Sequence, residues 1–377
     1  MRTDKAESTG LKSVEKLTIT FLVDNTLEWF GKLPPGFTNE IRNHLTEHNP
    51  RRDPLTGAPF LELDDYCCGA HGFSALIETQ ETASSPSYLT LFDTGPDRTS
   101  LIRNIKSMHV PVSSIERVIL SHWHRDHSGG ILSFLDHRNE VAPSSESSPP
   151  CIFDLHPDRP IARGIAPPPR NDVICRLPED PTFNEIEEKG GVVEKSSVGH
   201  AVAGGTVWVS GEIPRVTDFE GGLLGGVRWQ SDDNASMGSA GKWVPEPHIM
   251  DERYAAIDVV GKGLVIFSAC SHAGIINVVK DAVNTFSRPV YMIIGGLHLG
   301  GPELAPRIQP TVHFLSRQLI PAPTYVLPMH CSGFNTKIAL EAELGEGCVP
   351  AGVGHKIVVN GDRVGEDRLM EGSWREG

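Results

Sequence analysis

Seven cysteines in 377 residues are too few and too scattered to make a disulfide framework. Their number is odd, and Cys67 and Cys68 are adjacent, which is a poor arrangement for pairing. A reducing, cytoplasmic setting is expected. Long apolar runs are also missing. No stretch approaches the ~18 residues of a membrane span, so no membrane partner is expected. The opening "MRTDKAESTGLKSVEK" is polar, with neither an apolar core nor a small-residue cleavage site, so no secretory signal is expected. Positive charge is scarce: 34 Lys and Arg stand against 48 Asp and Glu, for a net charge of -14. Without a basic run or an aromatic-basic stripe, nucleic acid is excluded as a partner. The acid excess does not exclude an anionic small-molecule substrate, because a bound metal reverses the local sign. Internal repeats are absent as well.

What is present is a chain long enough for a large core, in which apolar strands end in histidine-bearing loops. "KLTITFLVDN" (16 to 25) alternates and reads as a strand. "HGFSALIET" and "SYLTLFDTG" read as a hairpin. Residues 98 to 110 have helical spacing, and "RVIL" (117 to 120) reads as a buried strand. Further strands are expected in "GGTVWVSGEIPR", in a hairpin turning at "GKG" (261 to 263), in "PVYMIIGG" and in "TYVLP", with helices after 274 and around 305 to 318. "HKIVVNGDRV" (355 to 364) reads as a closing hairpin-like pair. Residues 31 to 70 and 142 to 150 read as loop or insert, and 221 to 247 as Gly-rich and weakly patterned. Strands dominate early and alternate with helices later, which suggests two β-layers flanked by helices.

The densest chemistry is "SHWHRDHSGG", residues 121 to 130. His122 and His124 are two apart, so on extended backbone they point the same way. Asp126 and His127 follow, so one loop can feed two metals, His122 and His124 the first, Asp126 and His127 the second. Imidazole and carboxylate suit zinc, manganese or iron. One loop cannot close either shell, and the remaining donors are sought among His200, His248, Cys270, His272, His298 and His330. His272 in "SACSHAG" and His330 in "VLPMHCSG" each follow an apolar strand. Cys270 is a ligand, a neighbour or a small buried residue. His298 lies between glycines, where a substrate can approach closely. His200 and His248 sit in weakly patterned segments and read better as ordinary histidines. Asp93 ends a strand, where its carboxylate can orient a ligating imidazole or simply start a turn.

"LFDTG", "SHWHRDHSGG", "SACSHAG", "GGLHLGG" and "PMHCSG", in this order, resemble the metallo-β-lactamase superfamily. "LVDN", "HGFSALIE" and "SGEIPR" followed by "DFE" are similar to its 7,8-dihydropterin-6-methyl-4-(β-D-ribofuranosyl)aminobenzene-5'-phosphate synthase-like branch. The resemblance implies an α/β fold, an αββα four-layer sandwich with one or two metals at the strand ends. It implies a flexible N-terminus over 1–16 and a single domain over 17–377, with inserts near 31–70, 138–150 and 221–247. It carries His122, His124, Asp126, His127 and His330 over as ligands. No "GHT" followed by "GD" occurs, and Cys270 stands where a bridging Asp is usual, with His272 beside it.

The expected activity is that of a metal-dependent hydrolase, a metal-bound hydroxide attacking a small ester, lactone or phosphoester. Asp126 would handle the water proton, and His298 would donate to a leaving group or bind substrate. Glu212 and Arg215, with Asp218 and Glu220, would line the cleft, Arg215 anchoring a phosphate or carboxylate. For Glu212 and Arg215 a surface ion pair is the competing reading. Zn2+ is the expected cofactor, with Mn2+ or Fe2+ as alternatives. Competing functions are a pterin-related transferase, a mononuclear iron oxygenase and a metal-bearing scaffold without turnover.

Overall fold

The structure is a computed structural model that describes residues 9–46, 50–142, 149–231 and 241–376. Its two main sheets follow from two kinds of strand. Lys16–Val23 turns Leu17, Ile19 and Phe21 to one side, the alternation expected where the two faces meet different surroundings. Gly263–Ser268 is buried at all of its positions, as a strand covered on both faces must be.

The first sheet has eight strands in the order Phe37–Thr38, Lys356–Asn360, Lys16–Val23, Ser74–Gln80, Ser87–Phe92, Ile115–Ile119, Ile152–Leu155, Val192–Lys195. The second has six, in the order His200–Val202, Val207–Val209, Ala255–Val259, Gly263–Ser268, Val290–Gly296, Tyr325–Met329. Between them Leu17, Ile19, Phe21 and Ile77 meet Val209, Ile257, Val265 and Ile294. The rings of Phe73, Phe92 and Phe267 bridge the gap at centroid separations of 6.3 and 6.0 Å. Each such buried ring is worth about 1.5–3 kcal/mol of transfer free energy.

Helices cover the outer faces. Ser100–Ser107 and Ile131–Val141 pack Leu101, Ile105 and Phe134 onto the first sheet. Ile275–Phe286 packs Val279, Ala282 and Phe286 onto the second, beside Ile308 and Val312. The result is the αββα sandwich. Among the described residues, no helix is long and apolar enough to cross a membrane.

Pairs in parallel register set the position of the site. Ser87–Phe92 runs parallel to Ile115–Ile119, and Gly263–Ser268, Val290–Gly296 and Tyr325–Met329 are mutually parallel. Parallel neighbours end at the same edge, and clefts form beyond carboxyl ends of such strands. Asp93, the 121–127 loop, Cys270, His298 and His330 all lie just past those ends.

Several expectations change. Residues 12–16 are not a loose tail: Lys12 donates to Gly205 O at 2.7 Å, Val14 donates to Asp258 O at 2.8 Å, and the Val14 side chain is fully buried. Residues 1–8 lie outside the described part, as do 143–148 of the 138–150 insert. In the 31–70 insert, Phe37–Thr38 extends the first sheet and Glu40–Thr46 is a helix; the buried Glu40 carboxylate accepts from Cys67 N and Ser107 Oγ. In 204–215 only Val207–Val209 is strand. Lys356–Asn360 is no hairpin arm, because its partner is Lys16–Thr20 and a short helix, Arg363–Glu366, follows it. The 221–247 segment is a hairpin, Gly226–Ser231 with Gly241–Pro245, and residues 232–240 lie outside the described part. This hairpin joins Arg163–Ile165 and Cys175–Arg176 in a small four-stranded sheet. Its Trp229–Trp243 cross-strand pair and Arg-rich strands break the alternation that marks a strand.

One buried ion cluster belongs to the fold. Asp154 accepts from Arg253 Nη1 at 2.7 Å and Arg117 Nη1 at 3.0 Å, and sits 2.8 Å from His200 Nε2. Arg253 Nη2 donates to Leu120 O and Asp154 O. Burial opposes the Asp154 charge, but His200 and Arg253 outweigh it and pull the carboxyl down to about 2. The same contact raises His200.

Candidate metal centre

The 121–130 loop can form because two glycines admit a close approach. A Cβ on Gly129 would lie 1.9 Å from Pro96 O, and one on Gly130 2.2 Å from Thr94 O. The loop therefore packs directly on residues 93–96, which brings Asp93 under it.

Asp93, fully buried, organises the first histidines. It accepts from Ser121 N and Ser121 Oγ, both at 2.7 Å, and from His127 Nδ1 at 2.8 Å. Since Ser121 Oγ gives its hydrogen to Asp93, it accepts from His122 Nδ1 at 2.9 Å. Both imidazoles are thereby fixed with their Nε2 lone pairs facing the cleft. His330 is fixed in the same way: its Nδ1 donates to Asn25 Oδ1 at 3.0 Å, and its backbone N–H to Asp24 Oδ1. His272 and Ala273 give their backbone N–H groups to the buried Glu252 carboxylate, both at 2.7 Å. Burial pushes Glu252 up to about 7, against the pull of those two N–H groups.

Two donor groups result. His122 Nε2 lies 3.0 Å from His124 Nδ1 and 3.2 Å from His272 Nε2. Asp126, His127, Cys270 and His330 form the second group, with Cys270 Sγ 3.2 Å from His127 Nε2 and Asp126 Oδ2 3.2 Å from His330 Nε2. A third group, Cys270, His298 and Cys331, shares its first member with the second.

The donors fit a metal ion. Around a tetrahedral zinc with Zn–N near 2.0–2.1 Å, nitrogens stand ~3.3 Å apart, close to the observed separations in the first group. Burial, helped by the neighbouring imidazoles, holds His122 and His272 well below their ordinary range, and burial with Arg163 takes His124 down to about 3. Neutral imidazoles crowded nitrogen to nitrogen in a buried site are poor partners for one another and good ligands for a cation. His127 differs: burial opposes its charge, but Asp126 and Asp93 outweigh it and hold it well above the ordinary value. Proton and metal would therefore compete for that nitrogen.

His124, Asp126, Cys270, His272 and His330 line a cavity of about 480 Å3 that also reaches His71, Arg125, Arg163 and Glu246, with His122 and His127 fully buried behind them. His298 lies on it, its ring 4.4 Å from that of His272 and its buried Nδ1 without a hydrogen bond. Backbone φ is positive at Asp93 (59°), Ser271 (62°), His298 (47°) and His330 (45°). Non-glycine residues pay for that region, and here it turns side chains back over the strand ends.

Other expected residues lie elsewhere. Glu212 is exposed, Arg215 contacts Met250, and neither lines the cavity. Asp218 is exposed too. Glu220 is buried and accepts from Ile276 N and Asn277 N, so it satisfies the start of a helix and does not line the cavity. His200 belongs to the Asp154 cluster, and His248 is exposed. Sequence reasoning missed Asn25, Glu252 and Asp251; Asp251 accepts from Trp123 N at 2.6 Å and so shapes the backbone between His122 and His124. Only "LVDN" carried a signal, as an Asp-Asn pair ending a strand.

Residues 72–217 match the sequence profile of the metallo-beta-lactamase superfamily. The 7,8-dihydropterin-6-methyl-4-(beta-D-ribofuranosyl)-aminobenzene-5'-phosphate synthase of Methanocaldococcus jannaschii is 28% identical over 273 residues, 71% of this chain and 82% of that protein. An uncharacterized protein of the same organism is 25% identical over 264 residues, 70% of this chain and 84% of its own length. A solved structure described as a metal-dependent hydrolase of the beta-lactamase superfamily aligns with a TM-score of 0.57 at 18% identity, covering 91% of this chain and 99% of that one. The chain carries a metallo-β-lactamase superfamily domain and has that superfamily's fold.

Proposed function

We propose that the chain is a metal-dependent hydrolase of small molecules, cleaving an ester, lactone or phosphoester. The observation that carries this reading is the convergence of the His122, His124 and His272 ring nitrogens at 3.0 and 3.2 Å on one edge of a cavity. When bound, a metal there supplies an activated water and a Lewis acid for the substrate oxygen. His122, His124 and His272 would hold one ion, and Asp126, His127, Cys270 and His330 a second. A thiolate among imidazoles and a carboxylate favours zinc or iron over manganese. Asp126, within 3.2 Å of His330 Nε2 and 3.5 Å of His127 Nε2, would take the proton of an attacking water at Oδ2. His298, on the cavity wall, would give a proton to the leaving group. Asp93 keeps His127 in its orientation.

Elemental analysis of protein purified without added metal tests the reading, together with a panel of 4-nitrophenyl esters, 4-nitrophenyl phosphates and a lactone. About two zinc ions per chain are expected, about one in Cys270→Ser, with turnover of at least one panel member. Metal-free protein that still turns over substrate would overturn it, and about one iron per chain would redirect it to oxygen chemistry.

A second reading, a pterin-related transferase, is supported by the 28% identity to the synthase across 82% of its length. Formation of a joined product from a dihydropterin carrying a leaving group on its 6-methyl carbon and 4-(β-D-ribofuranosyl)aminobenzene 5'-phosphate, with release of that group and a proton, followed by mass spectrometry, decides for or against it.

A further inference from the structure

The cavity has a metal-competent floor and an apolar side built by the four-stranded sheet and its flanks. Ile165, Leu177, Leu223, Leu224, Val227 and Ile249 line it. Ile165 and Leu224 are 39% and 44% exposed, so they hold apolar surface against water within a concave site. The arginine on the sheet itself is already paired. Arg163 binds Glu246 through Nε and Nη2 at 2.8 and 2.9 Å, and Asp251 through Nη2 at 2.6 Å. The other lining arginine, Arg125, lies on the metal loop rather than on the sheet and donates from Nη1 to the backbone carbonyl of Glu179 at 2.8 Å. A phosphate laid against the sheet face would meet apolar side chains and an arginine already held by two carboxylates, and would be desolvated with little compensation.

The wall is also locked to the metal loop. Arg163 Nη1 donates to Trp123 O at 2.5 Å, and the Asp251 carboxylate that Arg163 binds accepts from Trp123 N at 2.6 Å. Trp123 stands between His122 and His124, so the distance from apolar surface to reacting centre is fixed. Fixed distance is what selects one substrate shape over another.

We propose that this sheet is the specificity-determining wall of the site. The group it takes is an uncharged ring or short acyl chain on the small molecule whose reacting oxygen meets the histidine cluster. The inference rests on the metal-centre reading above and adds the substrate class to it.

The test compares two chelating probes, acetohydroxamic acid and 2-naphthohydroxamic acid, on zinc-reconstituted protein by titration calorimetry. Burial of the naphthyl ring should make the second bind at least about 30-fold tighter. In the double variant Ile165→Asn/Leu224→Asn that ratio should fall below about 3-fold. The ratio is the readout, because a general disturbance of the metals weakens both probes alike. Equal affinities in the unaltered protein, or a ratio that survives in the double variant, would overturn the wall. Binding of neither probe would overturn the metal-centre reading, and the wall with it. Should the double variant fail to fold, the unaltered protein's ratio decides alone.

Discussion

Two buried polar clusters meet in this sandwich, and they are built on opposite terms. Around Asp154 the charges close on one another: Arg253, Arg117 and His200 all reach the same carboxylate, and Arg253 Nη2 also donates to two carbonyls, leaving only its buried Nε without a partner. Around His122 the nitrogens face one another instead, and the buried His272 Nδ1 and His298 Nδ1 have no hydrogen-bond partner. A cluster whose opposite charges compensate one another holds a fold together. A crowded, unsatisfied one that faces a cavity is held together by the fold, for a ligand still to come.

The sharpest way to break that contrast is His122→Ala. Metal content should fall by about one ion per chain and turnover by at least about 10^3-fold. Unfolding free energy of the metal-free protein should change by less than about 1 kcal/mol, because active-site groups are seldom chosen for stability. Elemental analysis, a hydrolysis assay and urea unfolding read the three quantities. Asp154→Asn should give the reverse pattern. It leaves the buried Arg253 without its counter-charge, at a cost of about 3–5 kcal/mol, while folded protein keeps its metal stoichiometry.

A smaller effect sharpens the same contrast through pH. The Asp154 carboxyl is depressed to about 2, so its stabilisation is present above the ordinary carboxylate range near 4 and is lost as pH falls through about 2. The amount is about 2 kcal/mol. His200 has the opposite sign. Its raised pKa contributes below the ordinary histidine value and fades as pH rises through the raised one. Urea midpoints of the unaltered protein and of Asp154→Asn, compared at pH 4 and pH 2, should converge at the lower pH. A constant gap would remove the carboxylate from the account.

Much of the site could be read in the sequence because its donors obey local rules. His122 and His124 alternate after an apolar strand, and His272 and His330 each follow another. The layered fold was legible for the same reason, since strands such as "GLVIFS" announce burial on both faces. Glu252, Asp251 and Asn25 were not legible, because they act by receiving backbone or ring N–H groups from segments far along the chain. Glu220 misled because a carboxylate following "SGEIPR" and a helix-capping carboxylate look alike until the helix is placed. The apolar wall hid in a stretch whose glycines and tryptophans have no strand period, and whose strands pair with each other and with residues 163–165.

The positive-φ residues at the strand ends carry a consequence for descent. Asp93, His298 and His330 sit one or two residues past the last ladder pair, and Cys270 is held by Ser271 in the same kind of bend. A donor there can be exchanged for another without shifting any strand register or opening any core. Inheritance can therefore rewrite the chemistry at this edge one side chain at a time.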